Sequence, residues 1–294
     1  MFSRIVTFQI AFAATVFVGA TTFASSPVPI IGYLANDGVA PVAKNEALGN
    51  LIEKRTGIRV KTYSGVSNAD LVQKMASGKI DFAFLSSLAY VELEQKTPVK
   101  VLLKKVWEQG YYYSVLLTKK SSKLKKVADI KGKRIAFVDE KSASGFLYPQ
   151  ALLAELGLDA EKDFKSVVFS GSHDKSAELL RRGEVDVIAV FANDKDGRDS
   201  AWTHGGGKAA EVRVVWASAA IPNDPFCVRS EFYEKNPKAT HDLMFGLVEM
   251  NEDPVAGPEL KHALGVQSLM VATAQQYEPV RNIFKLIKKK VEAP

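Results

Sequence analysis

The chain has 294 residues, of which 47% are hydrophobic, so it can form a sizeable core and by length divides into about two domains. Its formal net charge is +6, but the basic residues are scattered and no basic run carries interleaved aromatic residues. This pattern indicates a solvated surface and argues against nucleic-acid binding. The single cysteine, Cys227, cannot form an internal disulfide, and its apolar neighbours predict a buried structural thiol.

Residues 1–24 have the pattern of a secretory signal peptide. Arg4 supplies a positive charge, residues 5–23 are apolar or small with few polar interruptions, and Thr22-Phe23-Ala24 supplies small residues for a signal peptidase. We expect cleavage after Ala24, and a membrane anchor is the alternative. Because no cysteine lies near the cleavage site, we expect a soluble exported protein without a lipid anchor.

Short apolar runs alternate with helical patterns along the rest of the chain. In the first half, the patterns predict strands over 30–34, 60–63 and 80–84 and helices over 42–56, 69–77 and 88–95. In the second half, they predict strands over 111–118, 135–138, 167–169, 185–191 and 213–217, and helices over 145–155, 175–182, 237–249 and 275–291. Strands separated by helices predict an α/β protein with mainly parallel sheets.

One segment occurs in similar form in each half. Lys74–Ala83 and Leu180–Ala189 both have a helical end, a glycine, a charged residue and a strand that opens with an aspartate between apolar residues. A common helix-to-strand turn explains each segment alone. Their occurrence in both halves predicts two similar lobes that face a cleft, where ligand sites form readily.

The strongest local motif is Ser142-Ala143-Ser144-Gly145-Phe146, which follows a predicted strand and opens a predicted helix. A turn of small residues there leaves backbone N–H groups without partners at the positive end of the helix dipole. These N–H groups and the hydroxyls of Ser142 and Ser144 suit an anion. An ordinary serine N-cap is the alternative interpretation.

Two further motifs supply polar side chains at predicted turns. In Gly171-Ser172-His173, the histidine falls near a helix start, where it can donate to an anion or serve as a surface or capping residue, and Asp174 can cap the same helix. In Ile221-Pro222-Asn223-Asp224-Pro225, two prolines fix a stiff turn around Asp224. A carboxylate there can accept from a protonated oxyanion oxygen, and a plain crossover turn is the alternative.

The predicted strand at Tyr111-Tyr112-Tyr113-Ser114 carries a row of phenols. Strand alternation places Tyr112 and Ser114 on one face. Packing of the aromatic rings explains the row, although one phenol can still reach a cleft. Asn68 is predicted to cap the helix over 69–77, which ends at Gly78.

Together these motifs resemble the periplasmic phosphonate-binding proteins of ABC importers, the phosphate/phosphite/phosphonate solute-binding family, from about Ile30 to Lys285. The resemblance implies a two-lobe type II periplasmic binding protein fold with a hinged interlobe cleft. It also implies oxyanion contacts from the motif residues, with the N–H of Ala143 in place of a side chain. The implied ligand-binding residues are Ser142, Ala143, Ser144, His173, Asp224, Tyr112 and Asn68.

The chain departs from the family pattern at three places. Ala143 stands where the family often has a threonine, and Asn68 lies in the early loop where an aminoethylphosphonate binder has an aromatic residue. An acidic residue that would hold the ligand amine aligns ambiguously near Asn193 and Asp194. An aminoalkylphosphonate is therefore less favoured, and a smaller oxyanion stays open.

We expect the chain to divide into the signal peptide over 1–24, a first lobe over 25–113 and 222–294, and a second lobe over 114–221. The resemblance predicts a monomeric periplasmic receptor that captures a phosphonate, phosphite or phosphate oxyanion for an ABC permease in the inner membrane. A receptor that presents the anion to a membrane sensor is the alternative. A phosphoryl-group hydrolase is disfavoured because the four histidines are dispersed, without metal-ligand spacing. We expect no catalytic residues, no metal, no cofactor and no nucleic-acid partner.

Overall fold

The computed structural model describes residues 28–34 and 41–292. The predicted signal peptide, residues 1–24, lies outside the described residues. Within the described ranges, no helix is long and apolar enough to cross a lipid bilayer.

The strands and helices alternate along most of the chain. In chain order the strands are β1 Ile30–Leu34, β2 Lys61–Gly65, β3 Phe82–Phe84, β4 Val99–Val106, β5 Tyr111–Lys119, β6 Arg134–Phe137, β7 Ser166–Phe169, β8 Val187–Ala192, β9 Val212–Ala217, β10 Ile221–Pro222, β11 Pro225–Arg229 and β12 Ser268–Val271. The α-helices are α1 Pro41–Thr56, α2 Asn68–Ala76, α3 Ser87–Glu94, α4 Tyr148–Glu155, α5 His173–Arg182, α6 Ala201–His204, α7 Ser230–Lys235, α8 Pro237–Glu249, α9 Ala256–Leu264 and α10 Glu278–Glu292. A π-helical turn at Ala143–Leu147 leads into α4, and short 3-10 segments lie at Val127–Ile130, Ala209–Glu211 and Ala274–Tyr277.

The strands form two separate sheets, each the centre of one α/β lobe. The first sheet has the order β12-β4-β11-β3-β1-β2, and the second has the order β10-β5-β8-β6-β7 with β9 also beside β5. The chain passes from the first sheet to the second between β4 and β5 and returns between β10 and β11. The two-lobe α/β fold that the resemblance implied is therefore present.

The prediction of mainly parallel sheets was wrong. The parallel pairs are β1 with β2 and β3, and β6 with β7 and β8. The pairs made by β5, β11 and β12 are antiparallel. The reason is the double crossing: β5 and β11 are the first strands after each passage between lobes, and both run against their new neighbours.

An aspartate in each lobe ties a helix-to-strand turn to the neighbouring strand. Asp81 Oδ2 accepts the backbone N–H of Ile30 at 3.0 Å, and Asp186 Oδ2 accepts that of Arg134 at the same distance. Each carboxylate also binds a guanidinium, with 2.8 Å from Arg229 Nη2 to Asp81 Oδ1 and 2.7 Å from Arg134 Nη2 to Asp186 Oδ1. The similar segments noted in the two halves thus form the same local structure in both lobes.

The C-terminal helix α10 packs against both lobes. Val280 lies in a buried cluster with Leu88 of α3, from the first lobe, and Leu147 of the π-turn, from the second. Arg281 Nε binds Glu94 Oε2 of α3 at 2.7 Å. This helix therefore bridges the two lobes.

Several local predictions differ from the structure. Helix α2 begins at Asn68 and its cap is Ser67, whose hydroxyl accepts the N–H of Asp70, so the predicted Asn68 cap was wrong. A serine also caps α5, where Ser172 and not Asp174 accepts the backbone N–H. Strands β4, β10, β11 and β12 were not predicted.

The division of the lobes at residues 113/114 and 221/222 stays a prediction. The strand order puts the first change of sheet between Val106 and Tyr111 and the second between Pro222 and Pro225. On that basis we propose slightly shifted boundaries, with Tyr111–Tyr113 and Pro222 in the second lobe.

Candidate functional site

The polar motifs of the second lobe lie at one edge of its sheet. Strand β6 leads into Ser142 and the π-turn, and its parallel neighbour β7 leads into His173. Strand β5 begins at this edge with Tyr111–Tyr113, because it runs antiparallel to β8 and Tyr113 pairs with Ala192 at the end of β8. Three motifs far apart in the chain therefore meet at the carboxyl ends of the parallel strands, where ligands commonly bind.

The π-turn presents N–H groups at its open end. Ser142 Oγ accepts the N–H of Gly145 at 2.9 Å, and the N–H of Leu147 closes the turn onto Ser142 O at 3.0 Å. The preceding N–H groups, those of Ala143 and Ser144, have no partner within the turn, as at any helix start. The turn can lie this close to β6 only because of Gly145, where a Cβ atom would come within 2.5 Å of the Val138 side chain.

A buried hydrogen bond fixes the turn to β5. Ser114 Oγ donates to the carbonyl oxygen of Ser144 at 2.6 Å, and the backbone N–H of Ser114 donates to Ser218 Oγ at 3.0 Å. Ser114 is fully buried and Ser144 is only 2% exposed. The orientation of the turn therefore depends on the strand that follows the first crossing between lobes.

His173 is half-buried at the first position of α5. Its Nδ1 accepts the backbone N–H of Phe191 at 3.3 Å, and its ring meets that of Phe191 edge to face, with centroids 5.0 Å apart. Burial lowers the pKa of His173 to about 4. The imidazole is therefore neutral at pH 7, and because Nδ1 accepts, Nε2 carries the proton and is a donor.

Tyr112 lies in a cluster of polar groups from both lobes. Burial raises the pKa of Tyr112 and the carboxylate of Asp224 raises it further, whereas hydrogen bonding by the hydroxyls of Ser87 and Ser144 opposes the rise. The phenol of Tyr148 is also close enough to raise it. This cluster joins β5, the π-turn, α3 and the second crossing between the lobes.

Asp224 lies on the second crossing between the lobes and is half-buried. Burial raises its pKa, and the positive charge of Lys105 opposes that rise. The neighbouring Asn223 is held on both sides, since its Nδ2 donates to Gln109 O at 2.6 Å and its carbonyl accepts the Tyr277 hydroxyl at 2.6 Å. The prolines and these bonds hold Asp224 in place beside the Tyr112 cluster.

The first lobe touches the π-turn region through a pair of serines. Asn68 Oδ1 accepts the N–H of Ser86 at 3.0 Å, and Ser86 Oγ donates to the carbonyl oxygen of Lys141 at 3.3 Å. Ser87 Oγ donates to Pro222 O at 2.8 Å. The lobes are therefore in contact at this edge, and Ser86 links Asn68 to the second lobe.

The structure brings the predicted site residues together to different degrees. Tyr112, Ser144 and Asp224 share one cluster, with Ser142 and Ala143 on the same turn as Ser144. His173 lies at the same sheet edge, but within the described residues no hydrogen bond or ring contact joins it to that cluster. Their roles toward a ligand stay predictions. In the ranges that the structure describes, no group of three or more His, Cys, Asp or Glu side chains is arranged to hold a metal ion.

The sequence analysis missed two polar residues of this cluster, Ser87 and Tyr148. Tyr148 is 2% exposed, and its hydroxyl has no hydrogen-bond partner among the described residues. A signal existed for it, because Tyr148 follows Ser144 by four residues and so lies on the same side of the helix. Ser87 comes shortly after β3, just as the Ser142 turn comes after β6, and this similarity is a signal for Ser87.

The fold and this interlobe cluster define a two-lobe periplasmic binding protein. Residues 32–277 match the family model described as ABC transporter, phosphonate, periplasmic substrate-binding protein. The chain belongs to this family.

Two relatives are similar to this chain in sequence. The Phosphate-import protein PhnD of Mycolicibacterium smegmatis is 32% identical over 195 residues, which cover 63% of this chain and 60% of that protein. The Phosphonates-binding periplasmic protein of Escherichia coli is 26% identical over 238 residues, which cover 79% of this chain and 68% of that protein. The matched segments thus span 60% and 68% of the length of these two relatives.

A solved structure supports the same fold. PhnD1 from Prochlorococcus marinus in complex with methylphosphonate superposes with a TM-score of 0.72 at 18% sequence identity. The superposition covers 89% of this chain and 98% of that chain.

Proposed function

We propose that the protein is the periplasmic receptor of an ABC importer and captures a phosphonate, phosphite or phosphate anion between its lobes. The observation that carries this proposal is the convergence of donors at one sheet edge beside the Tyr112 cluster. The N–H groups of Ala143 and Ser144 open the π-turn there, and the Nε2–H of His173 lies at the carboxyl end of the next strand. Donors at a helix start suit a tetrahedral oxyanion.

The chemistry of the cluster fits a partly protonated oxyanion. Asp224 and the phenols of Tyr112 and Tyr148 are close to one another beside the π-turn, and Tyr148 directly follows that turn. A P–OH group can therefore donate to the carboxylate while the unprotonated oxygens accept N–H and O–H bonds. Neutral donors and few full charges favour reversible capture, since many hydrogen bonds offset desolvation of the anion.

His173 supports binding in preference to hydrolysis. A general base must offer a free lone pair toward the reacting water. In His173 the lone pair on Nδ1 is used by the N–H of Phe191, and Nε2 carries the proton. The imidazole can therefore donate to an anion but has no free acceptor, and we propose that the protein is a receptor and not an enzyme.

The names of the relatives support the ligand class and the partner. One is named for phosphate import and another for phosphonate binding, and the family description names an ABC transporter. We propose that the chain is exported through its predicted signal peptide and acts as a soluble monomer. Its ligand-bound form docks on a permease in the inner membrane.

Thermal unfolding with a ligand panel tests the oxyanion proposal. The panel is phosphate, phosphite, methylphosphonate and 2-aminoethylphosphonate, with sulfate as the oxyanion that lacks a proton at neutral pH. A ligand present at a hundredfold its Kd stabilises the native state by about 2.7 kcal/mol, which raises Tm by about 5 °C or more in a protein of this size. A Tm unchanged by all four phosphorus anions at millimolar concentration would overturn the proposal.

Uptake tests the transport role separately. Deletion of the gene is expected to abolish high-affinity uptake of the ligand that the panel identifies, and restoration of the gene is expected to recover it. If uptake persists while a transcriptional response to the ligand is lost, the protein presents its ligand to a sensor.

A further inference from the structure

Lys105 and Asp224 face each other across two paired strands of the first lobe. Pro225 lies opposite Lys104 in the antiparallel pairing of β11 with β4, so the next pair along is Asp224 and Lys105. The backbone N–H of Lys105 donates to the carbonyl oxygen of Asp224 at 2.9 Å. Residues directly opposite in an antiparallel pair have their side chains on the same face. The ammonium and the carboxylate therefore share one side of the sheet.

Two aromatic rings hold the ammonium of Lys105 on that face. Its Nζ lies 5.5 Å from the ring centroid of Phe84 and 5.9 Å from that of Trp107. Both distances are within the range of a cation–π contact. The rings of Phe84 and Trp107 are thus already in contact with a cation that belongs to the protein.

The two charges interact without pairing. Each opposes the shift that burial imposes on the pKa of the other. Within the described residues, however, the ammonium of Lys105 forms no ion pair with Asp224 or with another carboxylate. The ammonium therefore retains hydrogen-bond donors for an anionic group, and Asp224 retains acceptors for a P–OH.

We propose that Lys105 is a specificity-determining residue of the proposed site and favours phosphorus oxyanions without an amino group over aminoalkylphosphonates. This inference rests on the proposed function. A ligand ammonium that bound the Asp224 carboxylate would lie near the ammonium of Lys105, and two like charges in a partly buried site repel each other. The same lysine attracts the negative charge of an unsubstituted oxyanion, so one residue changes the two affinities in opposite directions.

The inference is tested by the ratio of the affinity for an unsubstituted anion to that for 2-aminoethylphosphonate, measured in the wild type and in two Lys105 variants. Isothermal titration gives the Kd for 2-aminoethylphosphonate and for the tightest of phosphate, phosphite and methylphosphonate. The wild-type protein is expected to favour the unsubstituted anion by about tenfold or more, and Lys105→Met is expected to reduce that ratio by about tenfold. Lys105→Arg, which keeps the charge, is expected to preserve most of the ratio.

Lys100→Met is the matched control. Lys100 lies on the same strand with its Nζ 5.1 Å from the ring centroid of Tyr233, but it is opposite Val228 at the other end of β11. Its replacement is expected to leave the ratio unchanged. The inference is overturned if wild-type protein binds 2-aminoethylphosphonate as tightly as the best unsubstituted anion. This measurement uses the wild-type protein alone and so does not depend on the folding of a variant. The inference is also overturned if folded Lys105→Met keeps the wild-type ratio. Absence of binding to all four anions instead rejects the proposed function, and this inference with it.

Discussion

The backbone N–H of Phe191 donates to Nδ1 of His173 at 3.3 Å, so the end of β8 decides which nitrogen of the imidazole carries its proton. The contact joins the end of one strand to the start of α5. It makes Nε2 the hydrogen-bond donor of a neutral ring. A neutral imidazole can donate to an anion without a nearby carboxylate to balance a positive charge on the ring.

Two substitutions of His173, each of which mimics one ring nitrogen, are expected to differ in their effect on ligand affinity. The amide nitrogen of glutamine reaches about as far as Nε2, and that of asparagine about as far as Nδ1. His173→Gln is therefore expected to retain affinity within about tenfold, whereas His173→Asn and His173→Ala lose about 10- to 100-fold, the loss of one hydrogen bond to a charged group. Titration calorimetry with the identified ligand measures this, and equal affinities for the glutamine and asparagine variants would contradict the tautomer.

His173 is also expected to make the free protein less stable in mild acid. Burial lowers the pKa of His173 from 6.5 to about 4. Between pH 6.5 and 4 the unfolded chain binds a proton at His173 that the folded protein does not. The contribution of His173 to the free energy of unfolding is therefore fully present above pH 6.5 and is lost as the pH falls toward 4. The loss is at most about 3 kcal/mol.

Urea unfolding of the ligand-free protein at pH 7, 6 and 5 measures that loss. His173→Gln is the control, because it removes this titration while the carboxylates stay the same. The free energy of unfolding is expected to fall more steeply with decreasing pH in the wild type. Parallel slopes in the two proteins would show that burial does not disfavour the imidazolium.

Two buried tyrosines are expected to respond differently to loss of the hydroxyl. Tyr148 has no partner for its hydroxyl among the described residues, whereas the Tyr277 hydroxyl donates to Asn223 O at 2.6 Å. Tyr148→Phe is expected to leave Tm unchanged or raised and to weaken ligand binding by up to about tenfold. Tyr277→Phe leaves a buried carbonyl unpaired and is expected to lower stability by about 1–3 kcal/mol. An equal fall in Tm for both variants would mean that Tyr148 has a structural partner.

Local features of the fold could be predicted from the sequence because they depend on neighbouring residues. Helix α8 has the bounds 237–249 that its pattern predicted. Gly78 and Gly183 follow α2 and α5 with φ of 72° and 73°, the left-handed conformation that favours glycine at a helix end.

Features that depend on contacts between distant segments were not predictable in this way. Strand β4 carries Lys100, Lys104 and Lys105 among its apolar residues, and this pattern hid both the strand and the position of Lys105 opposite Asp224. The candidate residues of the site came from turn motifs, which are local. Their arrangement depends on bonds such as the one from Ser114 to Ser144, which no spacing in the chain reveals.

The ion pair between Lys141 and Glu92 joins the two lobes as this structure arranges them, here called the closed form, and is expected to favour it over a form with the lobes apart. Lys141 Nζ, from the second lobe, lies 2.8 Å from Glu92 Oε1 of α3, and the glutamate side chain is only 16% exposed. Lys141→Met leaves that carboxylate without its partner in the closed form only, so the open form gains. Because the lysine is partly exposed and screened, the expected loss of ligand affinity is about two- to fivefold, from about 0.5–1 kcal/mol.

Calorimetry and small-angle scattering together measure the effect of the pair. Lys141→Met is expected to increase the radius of gyration of the ligand-free protein, and the exchange Lys141→Glu with Glu92→Lys is expected to restore much of the affinity. Lys235→Met is the control, since Lys235 Nζ lies 2.7 Å from Glu231 Oε1 within α7 of the first lobe alone. That control is expected to change neither quantity. If Lys141→Met behaves like Lys235→Met, the pair forms without biasing closure, and the buried contacts of α10 with both lobes hold them together instead.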